Sequence, residues 1–177
     1  MAATVESYVC NSRTDPLTTE VEIRLGTYQD GRFHPGVTRT MFDQLERDMV
    51  DSGTLQAERG WTETVDYFYT VKRGQQVRTR VLFDSDRMEL SREHVTKEAR
   101  ANTVFRGGPS PIDACRIAFA RETPVADPPS LCMPTLVRIK QRRRFLDLRD
   151  GSVVWSYEFS KTWSGASRSA VEHMQHH

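Results

Sequence analysis

Two stretches of this sequence carry residue types at spacings that suit a metal ion and a polyphosphate. The first is Glu20-Val21-Glu22-Ile23-Arg24, inside an alternating run from Thr18 to Gly26. Alternation at every second residue is the period of a β-strand. One face carries Val21, Ile23 and Leu25, and the other Glu20, Glu22 and Arg24. Side chains two apart share a face, so Glu20 and Glu22 lie about 7 Å apart along the strand. Both can reach one hard cation, directly or through water. Magnesium and manganese favour such oxygen ligands and keep several waters and substrate phosphate oxygens besides. The second stretch has the opposite sign: Arg138, Lys140, Arg142 and Arg144 alternate with Val137, Ile139, Gln141 and Arg143. Cations side by side on one face repel unless an anion lies among them. A triphosphate is such an anion, and arginine grips it with two hydrogen bonds at once. If the two charged faces look at each other, they make a metal–polyphosphate site. Either pattern alone is commonly a solvated face or a basic surface patch; their joint occurrence in one β-rich chain singles them out.

The elements that must position these residues are mostly strands. Residues 1–17 read as a loose lead-in, followed by a strand ending at Gly26. Gln29-Asp30-Gly31-Arg32 and Pro35-Gly36 are turn signals. Thr40 to about Val50 reads as a helix, with Met41, Phe42, Leu45 and Met49 on one face and Thr40 to Asp43 resembling a capping box. Thr64–Lys72 and Gln76–Asp84 read as strands joined through Arg73-Gly74-Gln75, and Met88 to about Ala99 as another. Arg106 to Pro111 is a loop. Period alone leaves Ile112–Thr123 open between strand and helix. Pro124–Pro134 holds four prolines and is a connection. Thr135–Leu148 and Ser152–Trp163 read as strands joined by the hairpin turn Asp150-Gly151. Ser164–His177 reads as a polar tail, with His173, His176 and His177 loose within it. The fold expected is an antiparallel sheet of about seven or eight strands, with one or two helices outside.

Composition bounds the function. At 177 residues the chain is long enough for one domain with a sizeable core. A net charge of +1 gives no global attraction to nucleic acid, so any basic site must be local. No apolar run is long enough to span a membrane, and the first residues lack the features of a secretory signal. Cys10, Cys115 and Cys132 are odd in number and far apart, which fits a reduced intracellular protein. Cys115, in an apolar run, reads as a small core residue.

The order of these motifs resembles the metal-dependent RNA 5′-triphosphatases of mRNA capping, of the fungal, protozoal and large-DNA-virus type, within the triphosphate tunnel metalloenzymes. Glu20 to Gly26 is similar to the family's first metal-binding strand. Gly31 to Val37, with Phe42 and Leu45, resembles its next loop and helix. Val77-Arg78-Thr79 resembles the strand with an essential arginine, and Lys97 a phosphate-facing lysine. Asp113 to Pro124 is similar to the strand that carries a tunnel carboxylate, which would be Glu122; Arg116 and Ile117 keep that motif's start, and Ala118 replaces its hydroxyl. Arg138, Lys140 and Arg142 fit the R-x-K-x-R strand. Trp155–Trp163 resembles the family's later acidic strand, with Glu158 standing for an aspartate beside Ser160 and Lys161.

The resemblance implies a mainly β fold: an eight-stranded antiparallel tunnel over residues 18–163, with helices outside. It makes Ile112–Thr123 a strand. It implies removal of the γ-phosphate from 5′-triphosphate RNA with manganese or magnesium, Glu20 and Glu22 being metal ligands. Arg138, Lys140 and Arg142 would bind phosphates and stabilise the transition state. Glu122 would orient the attacking water, or be paired to a tunnel cation. Glu158 would reach a metal-bound water. Arg78, Lys97, Arg116, Ser160 and Lys161 complete the substrate contacts by motif; Arg80 shares a face with Arg78, which leaves the choice between them open, Arg116 has a rim salt bridge as its alternative, and Lys161, which points away from Ser160, a salt bridge in place of a phosphate contact. The family's closing strand, of the form E-x-E-x-E, is not in this sequence, and Ser164–His177 resembles the linker that leads to it. Partners implied are 5′-triphosphate RNA, nucleoside triphosphates and a guanylyltransferase, without a membrane. The setting implied is intracellular and nuclear, or a viral factory or virion for a viral chain. A tunnel-type tripolyphosphatase or nucleoside triphosphatase, and a non-catalytic module that binds RNA ends, are the competing readings.

Overall fold

The computed structural model describes residues 19–58, 60–70, 76–84, 86–107, 114–126 and 133–175. The 1–17 lead-in with Cys10, the Arg73 to Gln75 turn, Gly108 to Asp113, Cys132, His176 and His177 lie outside the described residues. Nine strands and two helices are described. They are β1 Thr19–Gln29, β2 Arg32–Pro35, α1 Arg39–Asp51, β3 Gln56–Ala57, β4 Thr62–Thr70, β5 Gln76–Phe83, β6 Glu89–Arg106, β7 Ala114–Pro124, β8 Leu136–Arg149, β9 Ser152–Gly165 and α2 Arg168–Gln175. Every strand pairing with a resolved register is antiparallel. The period-ambiguous stretch from Ile112 is strand where it is described. None of the described helices is long and apolar enough to cross a membrane.

The chain divides into two compact units, residues 1–37 with 97–123, and residues 38–96 with 124–177. In the first unit the strand order is β2, β1, β7, β6. The first strand runs three residues past its expected end. It then turns through Asp30 and Gly31, both with positive φ (49° and 74°), into β2. Two left-handed residues make the tight turn that a twisted hairpin favours. Gly26 faces Pro35 in this hairpin, and a Cβ there would lie 2.1 Å from the carbonyl oxygen of His34. Backbone cannot move aside cheaply, so Gly26→Ala is expected to cost about 1–3 kcal/mol and lower the melting temperature. An unchanged melting curve would show that the hairpin has slack.

In the second unit the order is β6, β5, β4, β8, β3, with β9 also on β8. Strand register sorts the side chains. Val65, Val137 and Ile139 lie on one face, all fully buried, and pack with Val171 of α2. Tyr67, Phe83 and Trp163 flank them. Further along, Phe145 stands edge-on to Phe159, which meets Phe42 of α1, and Arg143 is paired to Glu46 of α1 at 2.8 Å. Apolar packing therefore uses the odd-numbered face of β8 and leaves the even-numbered face to other side chains.

Two local readings are corrected here. The tail from Ser164 is not loose: Val171, the one large aliphatic residue of α2, is fully buried and anchors the helix. The cap of α1 is Thr38 rather than Thr40, its Oγ1 accepting from the Met41 amide at 3.4 Å. Asp43 is engaged instead by the Arg39 side chain at 2.9 Å.

Candidate functional site

The acidic strand comes first. An alternating strand ordinarily sends its charges to water. In β1, Ile23 and Leu25 are 40% and 41% exposed, so the charged residues are no more exposed than the apolar ones. Strand β7 pairs alongside, with Ala120 opposite Glu20, Ala118 opposite Glu22 and Arg116 opposite Arg24. Small residues beside the glutamates leave room above them, and Ala118 is the position where the expected hydroxyl is replaced. Lys97 of β6 donates to Glu20 and lies 3.5 Å from Glu122. Glu22 pairs with Arg24 at 2.8 Å. Lys97, expected to face phosphate, thus lies beside two carboxylates in this structure. Cys115 is buried, as a small core residue would be.

No group of three His, Cys, Asp or Glu suited to a metal lies among the described residues. Two carboxylates on one strand face are still the usual protein share of a magnesium or manganese site, substrate phosphates and water supplying the rest. A positive charge already sits on each: Lys97 on Glu20 and Arg24 on Glu22. The donor types suit a hard cation, but in this structure each carboxylate is engaged by a cationic side chain instead.

The basic strand belongs to the second unit, and its register builds a polar cluster. Asp66 of β4 lies opposite Arg138 of β8 on one side and Arg80 of β5 on the other. Lys140 stands opposite Thr64, and Arg142 opposite Thr62. Across β9, Arg138 meets Ser164, Lys140 meets Thr162 and Arg142 meets Ser160. Asp66 is fully buried, with Arg80 Nε at 2.8 Å and Lys140 Nζ at 3.4 Å. Glu93 lies 3.5 Å from Arg80 and 3.9 Å from Arg78. Glu158 accepts from Ser160 at 2.8 Å and pairs with Arg142 at 3.4 Å. Arg138 donates to Ser164 at 3.3 Å and lies over the Phe68 ring.

Among the described residues, five cations, Arg78, Arg80, Arg138, Lys140 and Arg142, thus share a face with three carboxylates, Asp66, Glu93 and Glu158. Arg78 and Arg142 are buried, and Lys140 nearly so. Burial pushes Lys140 down to about 8, with Arg142, Arg80 and Arg138 adding to the fall and Asp66 opposing it. Burial likewise lowers Arg142, against the charge of Glu158. Burial would raise Asp66, yet the hydrogen bond and charge of Arg80, with Lys140 and Arg78, hold it below the usual carboxylate value. An excess of buried positive charge is costly unless an anion joins it.

Most expected residues fall into these two clusters. Lys161 does not: it lies on the opposite face of β9, its ammonium 4.5 Å from the Trp61 ring and 5.9 Å from Phe42. Alternation from Ser160 forces that orientation, so Lys161 is removed from the substrate contacts. Arg116 belongs to the first unit, where it lies over Phe33 at 5.1 Å. Arg78 and Arg80 both join the cluster, Arg80 with the closer carboxylates. Asp66 was not anticipated; the only signal was a lone carboxylate between Val65 and Tyr67.

No protein-family model matches the sequence, and none of the curated proteins does. Solved structures do. The Pct1 RNA triphosphatase of S. pombe is similar at 20% identity, over 92% of this chain and 70% of that one, with a TM-score of 0.66. The same protein in complex with the Spt5 CTD is similar at 20% identity over 94% and 72%, also with a TM-score of 0.66. The RNA triphosphatase domain of the mimivirus mRNA capping enzyme is similar at 10% identity over 97% and 80%, with a TM-score of 0.55. The mainly β, antiparallel fold of this chain is the one these proteins share.

Proposed function

We propose that this chain, having the fold of the capping RNA triphosphatases, removes the γ-phosphate from 5′-triphosphate ends of RNA. The observation that carries the reading is the partly buried face on which, among the described residues, five cations meet three carboxylates, an arrangement that suits a polyanion. Arg138, Lys140 and Arg142 would bind the phosphate oxygens and stabilise the charge that develops on them during transfer, with Arg78 and Arg80 adding donors. Asp66 and Glu158 would hold the cations in place. Glu20 and Glu22 would hold magnesium or manganese. When bound, the ion supplies charge neutralisation at the phosphate undergoing attack. Glu122, relieved of Lys97, would accept a proton from the attacking water. The product would be a 5′-diphosphate RNA end, the form a guanylyltransferase partner caps.

A non-catalytic reading has one observation in its favour: Glu20 and Glu22 are each already paired to a cation. Phosphate release from 5′-triphosphate RNA and from ATP, with manganese, separates the two. Glu20→Ala is expected to lower turnover by about 10²-fold or more, the size seen when one charge-stabilising group is removed. Metal-dependent release by the parent chain that Glu20→Ala leaves intact would remove Glu20 from the reaction. RNA binding without release under any metal would establish the binding module, and a preference for ATP or tripolyphosphate over RNA would move the substrate to free triphosphates.

A further inference from the structure

The charged face of β1 does not end at its carboxylates. Beyond Glu20, Glu22 and Arg24 it continues through Gly26 to Tyr28, and Tyr28 stands opposite Phe33 of β2. Each ring is covered by a guanidinium: Arg106 lies 3.7 Å above the centre of Tyr28, and Arg116 lies 5.1 Å from the centre of Phe33. Neither arginine is ion-paired to a carboxylate among the described residues, and the buried Nε of Arg116 has no hydrogen-bond partner there. Arg116 is the register partner of Arg24, so this group adjoins the acidic end of the same face. The Tyr28 hydroxyl donates to the Gly31 carbonyl at 2.9 Å, which fixes that ring. Gly26, lacking a side chain, leaves the space above it to the Phe33 ring, whose Cζ would lie 2.9 Å from a Cβ there.

Arginines seated over aromatic rings and without a carboxylate partner among the described residues suit a particular ligand. A guanidinium held flat on a ring keeps its edge donors free for phosphate or hydroxyl oxygens and offers its outer face to another planar ring. Single-stranded nucleic acid presents both, as phosphodiesters and bases, and is bound by cationic grooves with stacking side chains. Inorganic tripolyphosphate offers no ring and no sugar hydroxyl. We infer that Arg106–Tyr28 and Arg116–Phe33 form a subsite for the RNA body, binding the first nucleosides and phosphodiesters beyond the triphosphate. This subsite would make the chain favour RNA over free triphosphates, and the inference deepens the function proposed above.

The test uses the full chain and two probes. The first is a short single-stranded RNA with a 5′-hydroxyl end and no metal, measured by fluorescence anisotropy over a range of salt. The Arg106→Gln, Arg116→Gln pair is expected to weaken this binding and to reduce the slope of log affinity on log salt by about 1.4, from roughly 0.7 for each cationic contact on a single strand. The second is tripolyphosphate, whose affinity should stay within twofold. Unchanged RNA affinity, or equal losses for both probes, would overturn the subsite. Arg106 is exposed at the end of β6, so Arg106→Gln alone repeats the test with the fold undisturbed. Failure of the proposed hydrolysis is seen separately, as absent phosphate release from 5′-triphosphate RNA while the 5′-hydroxyl RNA still binds through these arginines.

Discussion

Asp66→Ala is expected to lose about 3–5 kcal/mol of folding stability, the usual cost of breaking a buried ion pair by removing one partner. For a domain of this size that is a fall of roughly 6–20 °C in melting temperature. The reason is positional. Asp66 is the fully buried carboxylate of the cluster and touches both Arg80 and Lys140. Without it, Arg80 keeps only Glu93 among the contacts described above, and Lys140 loses the group that holds its charge up. Lysine can release its proton, which limits the damage; arginine cannot. Asp66→Asn keeps the shape and should fall between the two. Tripolyphosphate should raise the melting temperature of Asp66→Ala by more than it raises that of the parent chain, because the variant's cluster has a larger excess of positive charge. Thermal melts with and without tripolyphosphate check both parts. An Asp66→Ala chain as stable as its parent would show that the cations tolerate each other through water, and the case for an anion on this face would collapse.

The second large effect is on pH. Lys140 titrates near 8 in the folded chain and at 10.5 when unperturbed. Between those values the unfolded chain binds a proton that the folded chain has released. Stability of the ligand-free chain therefore rises as pH climbs from about 8 towards 10.5, and the cost of the buried charge is fully present below 8. Polyphosphate reverses the balance, since it favours the charged lysine. Affinity for tripolyphosphate is expected to fall about 10–100-fold as pH rises through this range, the worth of one hydrogen bond between charged groups. Binding just above pH 8 should also take up protons. Isothermal titration in two buffers of different ionisation enthalpy measures that uptake directly. Lys140→Arg, charged at every pH used, should flatten the profile. A step that survives in Lys140→Arg belongs to another group.

Much of this was legible in the sequence, for a physical reason. The strands β1 and β8 announce themselves because period two carries both the fold and the charge, so one pattern reads out two facts. The hairpin at Asp150 and Gly151 was legible because both positions need positive φ, 51° and 78° in the structure. Asp66 was not legible. A lone carboxylate in an alternating strand looks solvated until registry places it between Arg80 and Arg138. Helix α2 was missed because one buried valine on a short polar segment leaves too little periodicity to detect. Lys161 shows the opposite lesson: motif likeness proposed it, while simple alternation from Ser160 already pointed it to the outer face.

The two faces of β8 have a consequence for descent. From Val137 to Asp147 the pairing with β9 runs without a slip. One side of that ladder carries the cations and the other carries Val137, Ile139 and Phe145. Inserting or deleting a single residue there would exchange the sides, because register decides which face each side chain takes. The cations would enter the apolar packing against α2, and the valine and isoleucine would enter the polar cluster. Gains and losses of residues among descendants of this chain should therefore collect at the turns and connections. Within the ladder they should be absent or come in pairs, and a set of related sequences would show this as gaps of even length.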